Sequence, residues 1–188
     1  MLGKKLILLP FLIVFITTAI TYAAVPVRIV LLPPIHRQNY NEPELNHFAF
    51  YKLKENLLKN NYDLALDIQV QNAVNKFTHG HPLEALPEKK ILRGLSKELS
   101  SDLVFALEFT ELNSMIISSL RNEEIEYKNV ALTLAIYNAQ DDSYVIYKVH
   151  KDEYSEFEGV NGIRRLVENC LDHINKKVSV YLKSIIAK

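Results

Sequence analysis

Residues 103–110 read LVFALEFT, and this stretch decides the fold. Large apolar side chains occupy every second position, and this spacing predicts a β-strand with one face in the core. Glu108 and Thr110 fall on the opposite face, where we expect Glu108→Ala to cost about 0.5 kcal/mol of stability or less. The core-facing residues are predicted to be Leu103, Phe105, Leu107 and Phe109.

Two later stretches repeat this alternation. Residues 130–136 and 145–149 carry apolar side chains at every second position, which predicts two further strands. The polar stretch 138–142 between them has the length of a hairpin loop, and residues 118–124 are long enough for a second hairpin. The second half of the chain is therefore predicted to be antiparallel sheet. The charged turn of the earlier hairpin is predicted to hold Glu123, Glu124 and Glu126.

The first half of the chain alternates strands with helices. The stretch VRIVLL at 27–32 ends at the pair Pro33-Pro34, which predicts a buried strand that cannot continue as a helix. The next predicted element is a helix with its apolar stripe at Leu45, Phe48, Tyr51 or Lys52, and Leu58. A strand at 62–67 and a helix at 69–77 are predicted to follow. The last predicted helix of this half is opened by Pro87 and buries Ile91, Leu92, Leu95 and Leu99.

The chain ends in a long amphipathic helix, because apolar residues recur at three- and four-residue spacing from Ile163 to Ile185. The predicted order is therefore β-α-β-α-α-β-β-β-α, an α/β (α+β) domain. Its mixed sheet should hold about five strands, with helices mainly on one face. The single cysteine, Cys170, falls on the apolar stripe of the last helix, so we expect a buried thiol. An intermolecular disulfide or a reactive thiol is the alternative.

The first residues have the pattern of a secretory signal. Lys4 and Lys5 precede an apolar run from Leu6 to Ile20, which is shorter than the roughly 20 residues of a spanning helix. Small residues before Ala24 favour cleavage after Ala23. We therefore expect residues 1–23 to be a cleaved signal peptide and residues 24–188 to be a single exported domain, periplasmic or extracellular, without stable membrane insertion. No cysteine lies near the cleavage site, so no lipid anchor is expected.

Composition narrows the function classes. Without its first 23 residues, the 188-residue chain keeps 20 of its 22 basic residues and all 22 acidic residues. Such a balanced surface lacks the basic stripe that binding to a phosphate backbone requires, so we expect no nucleic-acid partner. The chain contains no motif of a nucleophilic hydrolase, no zinc-protease motif and no glycine-rich phosphate loop. We expect no cofactor and no catalytic residues.

The chain resembles a group of small bacterial envelope domains, on the strength of its element order and of the phrases RIVLLPP at 28–34 and SSDLVFALEF at 100–109. This group includes the N-terminal domain of the Tol-Pal periplasmic protein, the curli secretion lipoprotein and lipoprotein activators of penicillin-binding proteins. The resemblance covers most of the chain after residue 23. It implies a non-enzymatic module that docks on other envelope proteins.

Two segments carry candidate site residues. His36, Arg37 and Tyr40 follow the first strand, where α/β sheets place ligands, and they could bind a partner; the alternative is a solvated loop. His79 and His81 have the spacing of metal ligands, and a metal-dependent enzyme or metal-binding protein built on them is the alternative function. Two histidines are too few for a complete site, so ordinary loop histidines are favoured.

Tyrosines form a third feature of the sequence. Cross-strand pairing would explain those in or near the predicted hairpins, although an exposed row could serve as a docking surface. These residues are Tyr127, Tyr137, Tyr144, Tyr147 and Tyr154.

Overall fold

The computed structural model describes residues 26–33, 35, 43–60, 62–118, 124–156 and 160–186. The predicted signal peptide lies outside them. The described residues form five strands and four helices in the predicted order. The strands are β1 (Arg28–Leu31), β2 (Asp63–Leu64), β3 (Leu103–Ser118), β4 (Glu124–Asn138) and β5 (Ser143–Ser155), and the helices are α1 (Pro43–Lys59), α2 (Asp67–Thr78), α3 (Lys89–Leu99) and α4 (Val160–Ile186).

The strands form one mixed sheet in the order β2-β1-β3-β4-β5. β1 runs parallel to β2 and β3, whereas β3, β4 and β5 are antiparallel neighbours. Both predicted hairpins are present, because β4 pairs with β3 along its whole length and with β5 from Glu126 to Asn138. The predicted α+β class and mixed sheet are confirmed.

Apolar side chains project from both faces of the sheet. Leu103 and Phe105 of β3 join a core with α1 and α4 on what we call the first face. Val104 and Ala106 join a smaller core with α2 and α3 on the second face. The two longest helices share the first face, and the two shorter helices cover part of the second face. Helices therefore pack on both faces, two on each, and not mainly on one face as expected.

Glu108 lies on the second face and is only 2% exposed. It pairs in register with Thr133, and Ile35 forms an isolated parallel bridge with it from the other side. The expected tolerance of Glu108→Ala assumed a solvated environment. That assumption is wrong, because residues from both neighbouring segments of the sheet enclose this position.

Several element ends differ from the sequence prediction. β2 spans only two residues, because Leu66 already serves as the N-cap of α2. Pro87 precedes the N-cap Glu88 and so does not open α3. In α1, Phe48 is half-buried and Leu58 is exposed, because the buried face is shifted around the helix from the predicted stripe. The buried residues of α1 are Leu45, Asn46, Ala49, Phe50, Leu53 and Leu57.

An ion cluster ties α3 to the β4–β5 hairpin. Asp142, in the turn, accepts hydrogen bonds from Arg93 Nε at 2.9 Å, Lys89 Nζ at 3.1 Å and the Tyr137 hydroxyl at 3.1 Å. These donors, Arg93 first among them, lower the pKa of Asp142 to about 2. Asp142 also has a positive φ of 54°, a conformation that asparagine and aspartate tolerate better than most residues.

Replacing Asp142 by asparagine should therefore destabilise the protein in a pH-dependent way. Because the folded-state pKa is depressed, the carboxylate contributes its full stability above about pH 4 and loses it as the pH falls toward about 2. The melting temperatures of wild type and Asp142→Asn should differ most near about pH 6 and converge near about pH 2. A difference that stays constant over this range would contradict the prediction.

Candidate functional site

The features that suggest a binding site lie at one end of the sheet. β1, β2 and β3 run in the same direction, so the carboxyl ends of β1 and β2 lie on the same side as the later residues of β3. Helices α1 and α2 begin on this side, because each follows one of the two parallel strands. We call it the carboxyl end.

A shallow groove of about 160 Å³ lies at the carboxyl end between α1 and α2. A salt bridge links the two helices beside the groove: Lys54 Nζ of α1 donates to the Asp67 carboxylate of α2 at 2.6 and 2.8 Å. Tyr51 stacks against His47 in the wall of the groove and is largely exposed. The groove is lined by Leu31, Pro33, His47, Phe50, Tyr51, Asp67, Val70 and Gln71.

The predicted partner-binding residues His36, Arg37 and Tyr40 lie outside the described residues. Ile35, which precedes them, is buried beside Glu108. The groove therefore occupies the end of β1 at which the sequence predicted a binding site, but its described walls come from α1 and α2.

Beyond the last β1 pairing residue, β3, β4 and β5 continue as a three-stranded extension. We call this extension, residues 111–118, 124–131 and 150–155, the distal sheet. The register between β3 and β4 shifts between Phe109 and Glu111, as in a β-bulge. Such a bulge bends its strand and increases the local twist.

The second face of the distal sheet carries apolar and aromatic side chains. Tyr127 opposes Met115 on β3 and Tyr154 on β5 in the strand register. The rings of Tyr127 and Tyr154 pack with their centroids 4.8 Å apart, and Tyr154 is 65% exposed. We call this surface the tyrosine face; it consists of Met115, Ile117, Ile125, Tyr127 and Tyr154.

A buried polar pair, Glu126 and Lys128, lies on the first face of the distal sheet. Lys128 Nζ lies 3.8 Å from Glu126 Oε2 and donates to Ser155 Oγ at 2.7 Å. The Ser114 hydroxyl donates to Glu126 Oε1 at 2.5 Å. Lys128 and Glu126 are both almost fully buried. The prediction that Glu124 and Glu126 belong to a charged turn is therefore wrong, because β4 starts at Glu124, earlier than its apolar alternation indicates. Glu123 lies outside the described residues.

The predicted tyrosine pairing is largely confirmed by the strand register. Tyr127 opposes Tyr154, and Tyr137 opposes Tyr144. Tyr147 instead meets Tyr181 of α4, with the ring centroids 6.5 Å apart. Of these tyrosines, Tyr154 presents the most exposed ring, so the distal sheet is where an aromatic docking surface is available.

The two histidines with metal-ligand spacing end a helix. His79 takes a left-handed conformation after α2, and the Gly80 and His81 amides donate to the Asn75 and Thr78 carbonyls. Both imidazoles are exposed. Among the described residues, no group of three histidine, cysteine, aspartate or glutamate side chains is placed to hold a metal ion. The local geometry of this loop is explained by helix termination.

Cys170 is fully buried between α4 and β4, with its Sγ 3.8 Å from the Val130 carbonyl oxygen. Burial raises the pKa of the thiol to about 11. At neutral pH the thiolate is therefore scarce, and the predicted buried thiol is the state found here.

No protein-family model matches the chain, and no curated protein matches it. Lipoprotein GNA1162 from Neisseria meningitidis has a similar structure, with 15% identity and a TM-score of 0.51 over 80% of this chain and 99% of that chain. The minor lipoprotein from Acinetobacter baumannii shares 9% identity, with a TM-score of 0.43 over 82% and 93% of the two chains. The LpoB C-terminal domain from Escherichia coli shares 11%, with a TM-score of 0.44 over 74% and 92%.

The likeness to the Neisseria lipoprotein shows a shared fold. The structural resemblance to bacterial envelope lipoproteins, predicted from the sequence, is thus confirmed. Within the described ranges, no helix has both the length and the hydropathy that crossing a bilayer requires.

Proposed function

We propose that the chain is an exported, non-enzymatic protein of a bacterial envelope that docks another envelope protein at its carboxyl end. In this proposal residues 1–23 are a signal peptide removed after Ala23, and residues 24–188 form the exported domain. The sequence pattern of the first 23 residues supports export, and the shared fold with an envelope lipoprotein is consistent with it.

The observation that carries the proposal is the tyrosine face. Exposed single apolar residues are ordinary, but a contiguous set rimmed by polar residues marks an interaction site. Met115, Ile117 and Tyr154 are each more than two-fifths exposed and are brought together by the strand register. Tyrosine adds contact area at low entropy cost and is enriched in protein interfaces.

Further exposed apolar residues belong to the same end of the molecule. Leu66 and Ile68 flank Asp67 at the start of α2, and Tyr51 lines the neighbouring groove. We include His36, Arg37 and Tyr40 in the proposed interface, because they follow Ile35 in the chain. The partner in this proposal is a protein with an apolar contact surface.

Site-specific photo-crosslinking in the bacterial envelope tests the docking surface. A photoreactive phenylalanine analogue at Met115 should give one covalent adduct of defined mass with another envelope protein. The matched control is the same analogue at Val180, which is 70% exposed on α4, far from the carboxyl end. Equal adducts from both positions, or adducts from Val180 alone, would remove the tyrosine face from the proposal.

A further inference from the structure

Strand β5 is the outer strand of the sheet within the described residues. It is 13 residues long and pairs with β4 from Ser143 to Ser155. Its other side therefore presents a row of backbone donors and acceptors, which is a template for pairing with an additional strand. An edge of this length calls for an explanation, since native sheets usually shorten or cover their edges.

The exposed second face of β5 has a self-complementary pattern centred on His150. Lys148 lies two residues before the centre and Asp152 two residues after it, and all three side chains are exposed. Ile146 and Tyr154 stand four residues to either side, and both are exposed. Along this face the side chains are therefore, in order, apolar, positively charged, histidine, negatively charged and aromatic.

When two copies of this strand pair antiparallel with His150 opposite His150, each charged residue on this face meets an opposite charge and each apolar residue meets an aromatic one. Each Lys148 opposes an Asp152, and each Ile146 opposes a Tyr154. On the first face Tyr147 opposes Glu153 and Val149 opposes Lys151, so no like charges face each other there. Opposite charges placed directly across an antiparallel pair stabilise it, and like charges destabilise it.

Neighbouring registers lack this match. A pair centred on Lys148 or on Lys151 would place two lysines opposite each other, and one centred on Asp152 would place two aspartates together. A pair centred on Val149 would set Lys148 against His150. Among the registers centred on residues 148 to 152, the charge pattern thus favours the one centred on His150.

The surroundings of the edge leave room for an added strand. A groove of about 420 Å³ separates β5 from α4 on the first face, where side chains of an incoming strand would enter. Its β5 wall consists of Lys151, Asp152 and Glu153. On the second face, His150 Nε2 lies 3.6 Å from Glu111 Oε2 of β3, so the histidine points across the sheet and does not block the edge.

We propose that β5 pairs with β5 of a second copy of this chain, antiparallel and centred on His150, to form a continuous ten-stranded sheet. The two-fold axis runs perpendicular to the sheet, so the contact is closed and stops at two copies. The distal sheets of the two copies then point in opposite directions, and each copy presents its own carboxyl end. This inference rests on the β5 edge and holds whether or not the tyrosine face docks a partner.

A charge swap tests the register in the purified exported chain by sedimentation analysis across a concentration series. Wild type should form a dimer. Lys148→Asp should raise the dimer dissociation constant by about tenfold or more, because two attractive pairs become two repulsive ones. The double variant Lys148→Asp with Asp152→Lys should restore dimerisation, which a merely structural effect of either substitution would not do.

Disulfide trapping provides the second measurement. His150→Cys should oxidise readily to a covalent dimer, because opposite Cα atoms in an antiparallel pair lie about 5.5 Å apart or closer. Lys148→Cys should not, since its two copies would be about 14 Å apart at about 3.4 Å per residue. A wild type that stays monomeric at all concentrations, or trapping at position 148 and not at 150, would overturn the proposal.

Discussion

Leu134→Ala should lower the free energy of unfolding by about 2 to 5 kcal/mol, as expected for the loss of a buried leucine side chain that leaves a cavity. Leu134 is fully buried in β4, at the centre of the sheet. It opposes Leu107 on β3 and Tyr147 on β5, so strands on both sides limit collapse into the space left by the side chain. Urea unfolding monitored by circular dichroism measures this loss.

The matched control is Leu58→Ala. Leu58 is 51% exposed on α1, so the same chemical change should cost about 0.5 kcal/mol or less. Equal costs for the two variants would mean that Leu134 does not face the core as described, because burial is what distinguishes these two leucines.

Lys128→Met should destabilise the protein by about 3 to 5 kcal/mol, the typical cost of removing one partner of a buried ion pair. Methionine keeps the length and volume of the lysine stem, so the loss reports the charge and not a cavity. The variant leaves the carboxylate of Glu126 buried without the cation 3.8 Å away. A urea titration measures this difference, and adding Glu126→Gln should recover part of it.

The control for this prediction is Lys59→Met. Lys59 pairs with Glu55 on α1 at 2.8 Å, but both side chains are more than half exposed. Such a surface pair contributes about 0 to 1 kcal/mol. If Lys128→Met costs no more than Lys59→Met, the polar interior of the distal sheet is hydrated and adaptable, and our description of it is wrong.

The core strands were predictable because they alternate large apolar residues with small ones over many positions. The distal sheet was not, because the polar residues Glu126 and Lys128 occupy buried positions on its first face. Polar residues on a buried face remove the hydrophobic alternation on which strand prediction depends. One sequence signal was the apolar run from Met115 to Ile117, which lay between the predicted strand and the predicted hairpin link and was assigned to neither.

Burial of Glu108 was unpredictable for a related reason. Its own strand indicated only which face it occupies, and its environment depends on Ile35, which is distant in sequence. The self-complementary pattern on β5 likewise predicts pairing with a second copy only once the sheet order places β5 at the edge. Sequence periodicity assigned faces, whereas topology decided which faces and edges remain open.

The central claim is that the tyrosine face binds an envelope protein, and the affinity of the purified exported chain for the crosslinked partner tests it most directly. Met115→Ala with Tyr127→Ala should raise the dissociation constant by about tenfold or more, since a few buried aromatic and apolar anchors carry most of the energy of an interface. Val180→Ala should leave it unchanged. An unchanged dissociation constant for the double variant, with its melting temperature intact, would contradict the claim.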